Sequence, residues 1–170
     1  MNDDDFLFYA DAGSEFINNV DTGIMCPQQK LERDVVLFHL GTLEMAFTKA
    51  DAFVITGCNK PSCRNSNQIL ASFLSLRRSI TTIQFITAWL TYSTDPRAVS
   101  DQPSIINKDP SLLVAHRHDQ SLLSLVAKNW GYDKQALPDP SQYGKGARKA
   151  FKVTHGFVNH QYILHTRIKT

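Results

Sequence analysis

The sequence predicts an α/β domain, a mixed and mostly parallel sheet with helices packed on it. Three observations lead there. Phe6-Leu7-Phe8-Tyr9-Ala10 is a short continuous apolar run that stops abruptly at Asp11-Ala12-Gly13-Ser14, as a buried strand running into a turn does. Ile80, Ile83, Ile86, Trp89 and Leu90 recur at helical spacing between about Ser79 and Tyr92, and Pro96 lies just beyond. Leu122, Leu125, Val126 and Trp130 form a second helical stripe, with Gly131 as its stop signal.

The remaining segments fit the same class. Val35 to Leu40 reads as a second strand, Thr42 to Lys49 as a short helix, and Ala52 to Thr56 as a third strand. Gly57 to Asn67 (GCNKPSCRNSN) is turn-forming throughout, and Gln68 to Arg77 resumes as an apolar segment that periodicity leaves open between helix and strand. A long polar connection from Thr94 to Ala115 carries Pro96, Pro103 and Pro110, and connections of this length in compact domains are often functional. Beyond Gly131 the chain is turn-rich to Ala150, and two short apolar stretches, Phe151 to Val158 and Tyr162 to Leu164, close it. Without an internal repeat or a change in composition, residues 1–170 read as a single domain.

Composition narrows the function classes. A hydrophobic share of 42% with 20% charged residues belongs to folded globular proteins rather than disordered or fibrous ones. The formal charge is +2 and the basic residues are sparse until the tail from Lys145 to Lys169, so no dense stripe suits a nucleic acid. That tail, with Arg148, Lys149, Lys152, Arg167 and Lys169 around a His-rich segment, suits either a phosphate group or plain solvent. Cys26, Cys58 and Cys63 are an odd set without a CxxC pair, and reduced thiols are expected. No apolar run approaches the roughly 20 residues of a membrane span, and the acidic opening Asp3 to Asp5 is unlike a signal peptide. A soluble protein is expected from the sequence as written, and its location stays open: cytoplasmic or Golgi-lumenal if further sequence lies upstream.

Three groups of residues have chemical potential. His116-Arg117-His118-Asp119-Gln120-Ser121 stands immediately before an apolar helix. Asp119 or Ser121 is a natural N-cap there, worth about 1 kcal/mol, with its neighbours exposed. The same carboxylate, carboxamide and imidazoles at one helix mouth can also bond sugar hydroxyls or move a proton, and both readings can hold. Asp11, at a strand's carboxyl end, offers hard oxygen to a divalent cation or is simply a turn residue. His155, His160 and His165 are candidate imidazole ligands or ordinary surface histidines, and spacing does not choose between these roles. A zinc site drawn from Cys58, Cys63, His116 and His118 has loose spacing, and a serine hydrolase lacks the GxSxG elbow.

Taken together these residues resemble the nucleotide-diphospho-sugar glycosyltransferases of GT-A type, of the capsule and cell-surface polysaccharide kind. FLFYADAGSEFI resembles their strand and metal-binding turn, with Asp11 on the first acid of the DxD-type motif and Gly13 where many relatives carry the second. LEMAFTKADAFVITGC, NQILASFLSLRRS and FITAWLTYSTDPRAVSD resemble the central part, HRHDQSLLSLVAKNWG the HRHDQS block, and ILHTR the terminal histidine-arginine segment. The resemblance spans roughly residues 6–131 and 157–168, and HRHDQS is its specific part.

What it implies is hexose transfer from a nucleotide-sugar donor to a glycan acceptor, assisted by Mn²⁺ or Mg²⁺. Asp119 and Gln120 would be catalytic. Gly13, Asn67, Gln68, His116, His118 and Arg167 would bind substrate, and Asp11 and His165 would hold the metal. In such enzymes βαβα units that grip the base precede the DAG strand, so the expectation is the second half of a GT-A fold. The alternative is a non-catalytic glycan-binding or structural remnant of one.

Overall fold

The computed structural model describes residues 5–141, 153–154, 156–158 and 161–165. Strand β1 (Phe6–Ala10) is followed by β2 (Ser14–Phe16), a π-helical turn (Asp21–Met25), helix α1 (Cys26–Lys30) and β3 (Val35–Leu43). Three short helices, α2 (Glu44–Phe47), α3 (Ala50–Ile55) and α4 (Pro61–Arg64), lead to β4 (Asn67–Arg77). Helices α5 (Ile80–Ser93), α6 (Pro96–Val99) and α7 (His118–Asn129) follow, then a 3₁₀ turn (Tyr132–Gln135) and β5 (Leu137–Pro138). Short strands β6 (Val153–Thr154), β7 (Phe157–Val158) and β8 (Ile163–His165) end the described chain.

The main sheet has the order β1-β4-β3-β5. β4 pairs antiparallel with both β1 and β3, and only the β3–β5 pair is parallel. The sheet is thus mixed as expected, but mostly antiparallel among the described strands. The reason lies in the connection: Leu43 at the end of β3 pairs with Asn67 at the start of β4, so the chain returns at the same end of the sheet. A parallel pair would have needed a crossover to the other end.

Alternate residues of β3 serve two cores, which is why the strand reads as continuously apolar. Val35 and Leu37 join Ile69, Leu74 and Leu76 of β4 under Phe85 of α5 and Leu123 and Val126 of α7. Val36 and Phe38 join Leu70 and Phe73 on the other face, with Ile24, Phe157, Tyr162 and Ile163. A third cluster holds Phe53, Cys58, Cys63, Ala98, Leu122 and Leu125 behind α7.

Several expectations are corrected. Residues 52–56 are not a strand, because Ala50–Ile55 is helical. This helix is too short to nucleate alone. Its free amides are met from far along the chain, Ala50 N–H by Asp109 Oδ1 at 2.7 Å and Asp51 N–H by Ser104 Oγ at 3.2 Å. The ambiguous segment is the central strand β4, and the turn-forming stretch before it contains α4.

That one helical turn also brings Cys58 and Cys63 to a Cα separation of 5.9 Å, and they form a disulfide instead of remaining thiols. Their sulfurs are therefore closed to the zinc site considered above. Finally, the apolar stripe expected to bury α5 faces partly outward. Ile80 is 77% and Ile83 55% exposed, while Thr82 and Phe85 face the core.

Candidate functional site

The site begins at the end of β1. Asp11 N–H continues the ladder by donating to Ser72 O at 3.0 Å. Strand side chains alternate, so Asp11 shares a face with Tyr9, whose hydroxyl donates to Asp11 Oδ1 at 2.8 Å. Phe8 and Ala10 point the opposite way, into the cluster around Phe73. Asp11 thus stands on the sheet face that carries α5 and α7. Gly13 follows with φ +83°, a left-handed conformation that costs a side-chain-bearing residue roughly 1–2 kcal/mol. The turn's geometry, and not only its chemistry, therefore selects glycine where a second acid would stand. Beyond it, β2 pairs with β8 in a register that sets Ser14 opposite His165, so β8 returns to within a few residues of Asp11.

The second part is the mouth of α7. Its N-cap is Arg117, and neither Asp119 nor Ser121 plays that role, because the helix starts earlier than the apolar stripe suggests. Ser121 instead accepts the Arg117 N–H at 3.2 Å and donates to Phe47 O at 2.7 Å. Asp119 is exposed in the first turn, where its charge suits the helix dipole, and its backbone carbonyl accepts from Trp89 Nε1 at 2.9 Å. His118 holds φ +45°, a strained value for a residue with a side chain, and its Nε2 meets Asp101 Oδ1 at 2.9 Å.

His116 is differently placed. Nε2–H donates to Ala98 O at 2.8 Å while Nδ1 accepts the Lys49 N–H at 3.4 Å, an arrangement that fits the neutral ring only. Burial, chiefly, lowers its pKa to about 4. Both nitrogens of His116 are thus occupied by backbone.

Beneath the mouth lies a buried polar hub. The Glu44 carboxylate is fully buried and accepts from Thr48 Oγ1 at 2.5 Å and Gln68 Nε2 at 3.0 Å, and also from Ser124 Oγ and Lys128 Nζ. Burial lowers the Lys128 pKa, and the neighbouring Glu44 charge opposes that. Gln68 is itself 0% exposed, so its carboxamide faces this hub and not open space. Its Oε1 accepts from Arg117 Nη1 at 3.2 Å and Gln120 Nε2 at 3.4 Å. Asn67, one residue earlier, is exposed.

The long connection before α7 is tied down. Asp51 accepts the N–H groups of Ile105, Ile106 and Asn107 at 2.8, 2.9 and 3.2 Å. Burial alone would raise the Asp51 pKa, but these donors outweigh it and hold the group below the usual carboxylate range. Lys49 Nζ secures the same loop through Ser100 O at 3.2 Å and Gln102 O at 2.6 Å.

Gln68 touches Ser121 at 3.4 Å, and four residues further along β4 Ser72 meets Asp11. Trp89 joins the two parts on one face of the sheet: it lines a groove with Leu7 and Tyr9 of β1, and its Nε1 donates to the Asp119 carbonyl at 2.9 Å. Along the sheet they are separated by about 13 Å of strand. Asn67, Gln68, His118, Asp119 and Gln120 gather at the start of β4, and Asp11 stands beside its middle. Arg167, His155 and His160 lie outside the described residues, and His165 is described by its backbone. Among the described residues no group of three His, Cys, Asp or Glu side chains is arranged to hold a metal. Asp11 fits such an ion only as one oxygen ligand among several that the ligand and water would have to complete. Also among the described residues, no helix is long and apolar enough to cross a membrane.

Sequence reasoning passed over Glu44, Lys128 and Asp51, whose charges carry no local motif, and gave Arg117 no role of its own within HRHDQS. Comparison with protein-family models, curated proteins and solved structures returned no match.

Proposed function

We propose that this chain carries the sugar-transfer site of a GT-A-type glycosyltransferase, moving a hexose from a nucleotide-diphosphate donor to a glycan hydroxyl. The observation that supports it is the placement of the Asp11 turn and the HRHDQS helix mouth on one face of the sheet, linked through Tyr9 and Trp89, although they are far apart in sequence. In this reading the exposed Asp119 carboxylate orients or deprotonates a sugar hydroxyl, and Gln120 donates its remaining amide hydrogen to another. His118, held by Asp101, lines the same mouth. A Mn²⁺ or Mg²⁺ ion held by Asp11, with His165 as the second protein ligand, would supply charge neutralisation for the leaving diphosphate. His116 and Gln68 support the site without facing the substrate, since their polar atoms are taken up internally.

The test is consumption of UDP- and GDP-hexoses with Mn²⁺ and a glycan acceptor, comparing the unaltered chain with Asp119→Asn. The Asp119 side chain caps nothing and faces solvent, so the substitution should shift stability by only a few tenths of a kcal/mol. Turnover should fall by about 10²-fold or more. Equal turnover in the variant would remove Asp119 from catalysis. A second reading, a non-catalytic glycan-binding remnant, is favoured by the backbone at Gly13, whose left-handed conformation disfavours a second acid in the turn. Glycan binding without any nucleotide-sugar binding in the presence of Mn²⁺ would select it.

A further inference from the structure

We propose that Arg117 is an oxyanion-binding residue that grips a phosphate of a diphosphate ligand at the mouth of α7. The identity of the ligand rests on the transferase reading above. The site itself rests on how this arginine is held.

The guanidinium carbon lies 3.9 Å above the Phe47 ring centroid, so the planar group is stacked in one orientation. Nη1 donates to Gln68 Oε1 at 3.2 Å and to Thr42 Oγ1 at 3.4 Å, both neutral acceptors. No carboxylate pairs with Arg117 among the described residues, whereas Arg77 has Asp34 and Arg97 has Asp95, both at 2.6 Å. The nearest acidic influence is Glu44, whose carboxylate is already met by Thr48, Gln68, Ser124 and Lys128. Burial accordingly lowers the Arg117 pKa, as for a cation taken partly out of water without full compensation.

What remains is the Nε–Nη2 edge, which carries no bond to the described residues. That edge is the side-on fork by which arginine binds two oxygens of a phosphate at once. Arg117 is only partly buried, so the side chain is not sealed from solvent. Stacking and two neutral bonds thus fix the fork before a ligand arrives, so little side-chain entropy is lost on binding.

The test is pyrophosphate binding to the full chain, followed by calorimetry and by ¹⁵N–¹H spectra of the arginine Nε groups, with sodium acetate as the carboxylate probe. Pyrophosphate should move the Arg117 Nε resonance, and Arg117→Met should weaken its binding about tenfold or more. Arg117→Lys should restore only part, since an ammonium cannot make the paired contact. Unchanged affinity in a folded Arg117→Met variant would overturn the proposal. If that variant does not fold, an Arg117 resonance indifferent to pyrophosphate overturns it equally. Acetate moving the resonance as strongly at the same concentration would overturn the assignment to phosphate. Arg117-dependent pyrophosphate binding in a chain that consumes no nucleotide-sugar would leave this site standing and defeat the transferase reading alone.

Discussion

His116 shows how one residue can change character between sequence and structure. Beside Asp119 in sequence it looks like a proton carrier, yet its donor and acceptor are both spent on backbone, at Ala98 O and Lys49 N–H. The unfolded imidazole titrates near 6.5 and burial lowers the folded one to about 4, so between those values the unfolded chain binds more protons. Stability from this group is therefore complete above pH 6.5 and lost as pH falls toward 4. At about 1.36 kcal/mol per pH unit the ceiling is about 3 kcal/mol, which solvent screening of the partly exposed ring reduces to about 1–2. Urea titrations at pH 7 and pH 4.5 should show this difference shrink in His116→Gln, and an unchanged difference would place the titration elsewhere. Lys128 is the opposite case, a charge that cannot leave its partner. Lys128→Met strands the buried Glu44 carboxylate and should cost about 3 kcal/mol or more, read as a lower urea midpoint at unchanged slope. A loss below about 1 kcal/mol would mean that the hydroxyl and amide donors suffice for Glu44.

At the scale of elements, α5 separates a helical period from the direction in which it is used. Its apolar spacing specifies a helix and the structure has one over Ile80–Ser93, but Thr82 and Phe85 take the inner face. Ile83 and Ile86 stand beside Leu7 and Tyr9 of β1, along an open apolar groove that continues to Trp89. Because Ile83 is half exposed, Ile83→Lys should alter stability by no more than about 0.5 kcal/mol. A large-to-small change in the core, such as Phe85→Ala, should cost about 3–5 kcal/mol by comparison. Thermal melts of the two variants decide the orientation of the helix, and equal losses would put Ile83 in the core. α3 makes the converse point: six residues are too few to hold a helix alone, and its amides depend on Asp109 and Ser104 from the pinned loop.

For the whole molecule, the loop of residues 100–117 is the common fastening. It caps α3, carries His116, and delivers Arg117 and Asp119 to the mouth of α7, which in turn packs on β4. The Cys58–Cys63 disulfide closes the neighbouring α3–α4 corner against α7. A cross-link enclosing so short a loop contributes about 2 kcal/mol, so reduction should lower stability by about that amount and leave the fold intact. Circular dichroism and urea titration with and without a phosphine reductant would show it. Global unfolding on reduction would mean that the corner does not stand on its packing.

Local signals were enough for certain elements. The FLFYA run, the α5 spacing and the α7 stripe ending at Gly131 each encode their element, because extended runs, helical period and a left-handed stop are set by neighbouring residues. The unbroken FLFYA run reads as a buried strand, yet β1 is an edge strand with Leu7 and Tyr9 about half exposed. HRHDQS was likewise legible as a polar cluster at a helix start. Only the tertiary structure decided which of those polar atoms remain available, since His116 and Gln68 are consumed by backbone and side chains remote in sequence. It also decided the antiparallel course of the sheet, the helical state of residues 50–55, the disulfide, and an Arg117 fork that bonds to none of the described residues. Each of these depends on partners brought together by the fold. A sequence states which groups a chain possesses, but satisfaction of a buried charge or amide is settled by the distance to a partner, and that distance exists only once the chain has packed.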